Sequence, residues 1–168
     1  MVLALLPLPG GAATLTGRVV GVHDGDTITV LAADREQHEI RLAGIDAPES
    51  GQAFDNRSKQ NLSEMVYNRD VTIEWDKRDR EGRIVGKVLY QPVCPPGRMC
   101  IMSLADANYQ QIASGMAWWE REYAKEQTPE DRRLYERAES EAKAAKRGLW
   151  QDNEPVPPWG WRKAKAGH

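Results

Sequence analysis

The chain has 168 residues, 40% of them apolar and 29% charged, which suits one hydrophobic core and excludes a wholly disordered chain. No apolar run approaches the roughly 20 residues of a membrane-spanning helix, so no membrane partner is expected. Lys and Arg number 23 against 25 Asp and Glu, and this net charge of −2, taken alone, counts against a nucleic-acid binder with its usual basic excess.

Residues 1–17 carry no charged side chain. The apolar run from Val2 to Leu6 is broken by Pro7 and Pro9 and followed by Gly11-Ala12-Ala13, a small-residue cleavage pattern. Residues 1–13 are therefore read as the remnant of a signal peptide without its basic start, or else as a plain apolar terminus. Cleavage after Ala13 would make the protein secreted or periplasmic; a cytoplasmic protein is the alternative.

Strands are predicted over residues 14–22, 27–32 and 39–43, rich in Val, Ile, Leu and Thr. Asp24-Gly25-Asp26 and Asp34-Arg35-Glu36-Gln37 supply the turns between them. A weakly amphipathic helix follows over residues 54–67, with Leu62, Met65 and Val66 on one face. Two more strands, 71–75 and 84–90, flank a charged separator at 77–82. Cys94 and Cys100 bracket a Pro-Gly turn and are placed to cross-link its ends in an exported protein. Closing so short a loop contributes about 2 kcal/mol on chain-entropy grounds. Free thiols would accompany the cytosolic alternative.

A second helix is predicted from Ser103 to Gly115, with Asp106 as its capping-box partner. A third starts at the N-cap Thr128 with Pro129 in its first turn, and ends at Lys146-Arg147-Gly148. Leu134, Ala138, Ala142 and Ala145 form its narrow apolar stripe, and Glu139–Lys143 reads as a solvated pair. The segment 153–168, rich in Pro and Trp and somewhat basic, reads as an extended tail held by Trp150 and Trp159. Five of the six Trp lie after residue 117, and packing is the simpler reading of them than base stacking. Five short strands with a helix after the third suit a small closed barrel of the OB type, an α+β chain that is mainly β, although order alone does not decide between that and another α+β layout.

Three charged clusters sit in turns, where side chains are free to act. Asp24-Gly25-Asp26-Thr27 offers oxygen ligands to a hard cation, although such a run is also an ordinary turn. In Arg41-Leu42-Ala43-Gly44-Ile45-Asp46-Ala47-Pro48-Glu49, Asp46 can join Asp26 on a metal, and Glu49 can reach a water beside it. Asp79-Arg80-Glu81-Gly82-Arg83 presents a guanidinium that matches phosphate. Carboxylates for a divalent cation, one more for a base, and two Arg residues form an inventory for phosphodiester hydrolysis.

At these residues the sequence resembles the thermonuclease family, typified by staphylococcal nuclease, over residues 14–150. The resemblance rests on Asp24-Gly25-Asp26-Thr27, Arg41, Asp46-Ala47-Pro48-Glu49 and Asp79-Arg80-Glu81-Gly82-Arg83 followed by Ile84-Val85-Gly86-Lys87-Val88. It implies a five-stranded OB-fold barrel with three α-helices over 14–152, and a calcium-dependent endonuclease. The substrates would be DNA and RNA, cut with little sequence preference to leave 3′-phosphates by a monomer. It implies Asp26 and Asp46 as direct calcium ligands, Asp24 through water, and Ala47 through its backbone carbonyl. Glu49 would be the general base, Arg41 and Arg83 would bind the scissile phosphate, and Tyr123 would contact nucleotide. Two positions depart from the family pattern: Ala47 replaces Thr, and Glu81 replaces a phosphate-contacting Tyr. A carboxylate there would repel phosphate or pair with Arg83, weakening nucleotide binding. The alternative from another class is a nucleic-acid-binding module on the same barrel without catalysis.

Overall fold

A computed structural model describes residues 12–97 and 103–167. The expected signal remnant lies mostly on residues 1–11 and so outside the described residues, as does Cys100 and with it the expected cross-link to Cys94. In chain order the elements are β1 (Ala13–Val22), β2 (Thr27–Ala32), β3 (Gln37–Leu42), β4 (Ile45–Asp46), α1 (Asp55–Val66), β5 (Asp70–Arg78) and β6 (Ile84–Tyr90). They continue with β7 (Ala105–Asp106), α2 (Ala107–Ala113), β8 (Trp118–Trp119), a 3-10 turn (Arg121–Glu126), α3 (Pro129–Ala144), a second 3-10 turn (Gly148–Gln151) and α4 (Pro158–Ala166).

Antiparallel pairing runs β3-β2-β1-β5-β6, and a parallel pairing of β3 with β6 (Ile40 opposite Ile84) closes the barrel. Register shifts at Val19/Gly21 in β1 and Trp75/Lys77 in β5 bend those strands, which a closed sheet of few strands requires. The alternating apolar side chains point inward: Ile28, Val30, Ile40, Leu42, Ile73, Ile84 and Val88 are buried. Leu62 and Val66 of α1 and Ile112 of α2 join the same core. This is the five-stranded barrel with helices that the sequence implied.

Several local expectations change. The 77–82 separator is shorter than read, because β5 extends to Arg78 and the turn is closed by Gly82 N–H donating to Asp79 O. The second helix begins at Ala107, not Ser103: Ala105 and Asp106 pair with Tyr90 and Leu89 as β7. Asp106 still caps, accepting from Tyr109 N–H at 3.0 Å. Thr128 caps α3 as expected, accepting from Asp131 N–H. The α3 stripe, however, is turned: Tyr135, Ala138, Glu139 and Ala142 are buried, while Leu134 and Ala145 face solvent. Tyr135 wins the core position because its hydroxyl reaches Asp106 Oδ2 at 2.7 Å. The tail is not simply extended, since residues 158–166 form α4, and Trp159 is exposed rather than an anchor. Trp118 and Trp119 are both buried and Trp150 packs edge-on against Trp118 at 5.6 Å, in keeping with the packing reading.

Candidate active site

Asp24, Gly25 and Asp26 form the β1–β2 turn. Asp24 Oδ1 accepts from Asp26 N–H at 2.9 Å, an Asx turn that fixes the loop. The turn lies tight against α1: a Cβ on Gly25 would come 1.8 Å from Ser58 Oγ and 2.8 Å from the Ala47 Cβ. Gln111 of α2 donates to Gly25 O at 2.6 Å and fastens the turn from the other side. Asp26 is buried, and its oxygens accept from Thr27 Oγ1 at 3.0 Å and Ala47 N–H at 2.7 Å. The β2–β3 register places Thr27 opposite Arg41, which brings Arg41 beside Asp26.

Gly44, with φ of 73°, turns the chain from β3 into β4. β4 pairs with β8, Asp46 lying opposite Trp118, and Glu120 N–H donates to Gly44 O at 3.0 Å. Asp46 and Glu120 thus converge on Arg41. Arg41 Nη2 is 3.8 Å from Asp46 Oδ1 and 3.4 Å from Glu120 Oε2. Burial first, and the Asp46 charge after it, raise the Glu120 carboxyl to about 7 against the pull of Arg41.

Glu49 stands at the rim of this group, its N–H donating to Gln52 Oε1 at 2.9 Å. An arginine that sequence reading had left in the basic tail enters here. Arg162 of α4 donates to both oxygens of Asp46, Nη1 at 3.2 Å and Nη2 at 2.8 Å, and from Nη1 to Glu49 Oε1 at 2.5 Å.

Arg83 opens β6 and is tied to its own turn, 2.7 Å from Asp79 Oδ2 and 2.9 Å from Glu81 Oε2. Of the two effects expected of Glu81, pairing with Arg83 is the one seen. Burial works against it, but the hydrogen bonds and charge of Arg83 hold the Asp79 carboxyl below its ordinary range. Tyr123 is exposed, with Lys77 Nζ 5.6 Å from its ring centre. Arg41, Arg83, Glu120, Tyr123 and Arg162 line one cleft of about 660 Å³. Through Arg41 the cleft adjoins Asp26 and Asp46. The sequence-predicted residues are therefore neighbours, in two groups joined by one guanidinium.

The carboxylate group fits a hard divalent cation. Burial first, and the neighbouring Asp24 charge second, push the Asp26 carboxyl up to about 7, with Arg41 and the Ala47 N–H opposing and Asp46 adding to the rise. The charges of Asp24 and Asp46 both bear on Asp26, and the donors are all oxygen, the ligand type that Ca²⁺ and Mg²⁺ take. Asp26 and Asp46 would hold such an ion. Among the described residues, the three side chains whose ligand atoms all lie within 4.8 Å of one another are Asp34, Glu36 and His38 on the β2–β3 hairpin, where Asp34 and Glu36 are exposed. No helix among the described residues is long and apolar enough to cross a membrane.

Sequence reading missed Glu120 and the supporting amides, and it grouped Arg162 with Lys163 and Lys165 as a basic patch for a polyanion, whereas Arg162 pairs with Asp46 and Glu49. Asn108 receives Val88 N–H and donates to Ala43 O and Gly86 O, all within 3.1 Å, so it staples β6 to the end of β3. Its signal was a polar residue at spacing i, i+3 and i, i+4 with Gln111 and Ile112 on the inward face of α2. Glu139, read as a surface partner of Lys143, is buried; it takes Trp119 N–H at 3.2 Å and Arg121 Nη2 at 2.6 Å as well as Lys143.

The profile of the family described as "Staphylococcal nuclease homologue" matches residues 39–152. The "Micrococcal nuclease" of Shigella flexneri is 42% identical over 152 residues, covering 90% of this chain and 83% of that protein. "Protein ParB" of Escherichia coli is 39% identical over 158 residues, covering 90% of this chain and 81% of its own. A protein of Escherichia coli named "Uncharacterized endonuclease" is 36% identical over 165 residues, covering 98% and 96%. Profile, barrel and shared length agree, and the chain belongs to the staphylococcal nuclease homologue family.

Proposed function

We propose that the chain is a calcium-dependent endonuclease that hydrolyses phosphodiester bonds of DNA and RNA with little sequence preference and leaves 3′-phosphates. The observation that carries this is the gathering of buried Asp26 and Asp46 beneath Arg41, with Glu49 at the rim and the arginine-lined cleft alongside. The relatives named nuclease and endonuclease support the same reaction class.

In this reading Arg41 and Arg83 hold non-bridging oxygens of the scissile phosphate and counter the charge that grows there. Glu49 takes a proton from the attacking water as its oxygen bonds to phosphorus. The bond to the 5′ oxygen breaks, that oxygen takes a proton from solvent, and the phosphate stays on the 3′ side. Asp26 and Asp46, with Asp24 through water and the Ala47 carbonyl, would hold a divalent cation, which would supply positive charge against the phosphoryl oxygens. Calcium suits a mixed set of carboxylate, carbonyl and water ligands. The chain acts as a monomer in this reading. Export belongs to it as well: Cys94 sits in an exposed segment after β6, where a bridge to Cys100 would close a surface loop. Thiol counting on natively isolated protein, with no reactive thiol expected, tests the bridge.

The second reading, a nucleic-acid-binding module with little catalysis, draws support from the capture of Arg83 by Asp79 and Glu81. Incubation with labelled single-stranded DNA and RNA, with calcium and with a chelator, separates the two. Cleavage is expected with calcium only, and the fragments should become substrates for polynucleotide end-labelling at their 5′ ends without prior phosphatase. Retention of substrate without cleavage would favour the module.

A further inference from the structure

We propose that α4 is an autoinhibitory strap whose Arg162 occupies the carboxylate site as a resident counter-cation and must leave Asp46 for a divalent cation to bind. The inference rests on the metal-dependent reading of that site.

The contact is specific. The guanidinium fork meets both oxygens of Asp46 and one of Glu49, the arrangement in which arginine binds carboxylate most strongly. It thereby engages the direct metal ligand and the candidate base together. Asp46 is 3% exposed, so its two oxygens have few other openings toward solvent, and a cation approaching them meets Arg162 first. Arg162 itself is 46% exposed and comes from 116 residues further along the chain, so its place over Asp46 depends on how α4 is seated.

The seat of the helix suits a contact that opens. Residues 152–157 connect it to the barrel without helix or strand. Apart from the Arg162 pairs, the hydrogen bond that ties this region to the barrel among the described residues is Gln52 Nε2 to Val156 O, at 2.5 Å, before the helix begins. Pro158 is the one buried residue of α4, and Trp159 is exposed. Trp161 Nε1 is buried without a hydrogen-bond partner among the described residues, a cost that leaving the seat would relieve. With Arg162 withdrawn, Asp46 and Glu49 lose their shared partner, and a divalent cation replaces its single charge with two.

Calcium titration by calorimetry on the full-length protein, wild type beside Arg162→Ala and Arg162→Lys, tests this directly. Arg162→Ala should bind calcium about tenfold tighter, the worth of one charge-assisted pair, with Arg162→Lys between them. Hydrogen exchange over residues 158–166 should quicken when calcium is added to the wild type, as Arg162 lets go. Equal or weaker calcium binding by Arg162→Ala overturns the strap. Weaker binding of single-stranded DNA by Arg162→Ala with unchanged calcium affinity also overturns it, and makes Arg162 a phosphate contact instead. If none of the proteins takes up calcium, the metal reading of the site fails and the strap with it, an outcome distinct from the other two.

Discussion

At the scale of single residues, the site depends on how closely a few groups approach. Gly25 is the clearest case, because any side chain there collides with Ser58 and Ala47. Gly25→Ala should cost about 1–3 kcal/mol of stability, read by urea unfolding, and should weaken calcium binding because Asp26 moves with the turn. Glu49→Gln removes the proposed base while keeping the shape. We expect turnover to fall by about two to four orders of magnitude with substrate affinity little changed, in single-turnover kinetics. Glu81→Tyr frees Arg83 from one carboxylate, and the Michaelis constant for DNA should fall about three- to tenfold. An unchanged constant would show that the Glu81–Arg83 pair does not limit phosphate binding. What was legible at this scale was residue type at turn positions. Asp24, Asp26, Arg41, Asp46, Glu49 and Arg83 could be named because they stand in contiguous charged motifs at turns and strand ends, although Asp26 and Asp46 are buried in the fold. Arg162 and Glu120 could not, since their partners lie 116 and 79 residues away in sequence.

At the scale of elements, local punctuation was readable and long-range pairing was not. The Thr128-Pro129 start of α3 is written in adjacent residues, and so survives. Ala105 and Asp106 form β7 only because β6 offers them an edge, which no local pattern announces. Burial of Glu139 follows the same logic: its charge marks it as surface, but Trp119 N–H, Arg121 and Lys143 together satisfy it inside. Glu139 is the tie between α3 and β8, and β8 holds β4 and Asp46. Glu139→Ala should therefore destabilise the protein by about 2–4 kcal/mol, by strand-end disorder as well as lost bonding. Thermal unfolding monitored by tryptophan fluorescence would read it, since Trp118 and Trp119 flank the break.

At the scale of the whole molecule, the net charge of −2 acquires a different meaning. Asp26, Asp46 and Glu120 gather around Arg41, and one bound calcium would neutralise the formal total. Binding of a polyanion then rests on local arginines of the cleft rather than on a basic field over the whole surface. With Arg41 and Arg83 as the phosphate contacts, single-stranded DNA affinity should fall with salt at a logarithmic slope of about −1.4, from roughly 0.7 per phosphate. A much steeper slope in fluorescence anisotropy would mean that the tail lysines and further arginines hold the strand too. Strand order suited the barrel and the family resemblance singled it out from other α+β layouts, whereas the placing of the tail over the site emerged only from the fold.

In the proposed function one site, built from Asp26, Asp46, Arg41 and Glu49, performs the hydrolysis. Its most direct test is single-turnover cleavage of an end-labelled single-stranded DNA by the wild type and Arg41→Ala, each with saturating calcium and with a chelator. The expected result is calcium-dependent cleavage by the wild type, slowed about 100- to 1,000-fold in Arg41→Ala, in line with the loss of one preorganised donor. Cleavage by Arg41→Ala at the wild-type rate, or wild-type cleavage that persists in the chelator, would contradict it.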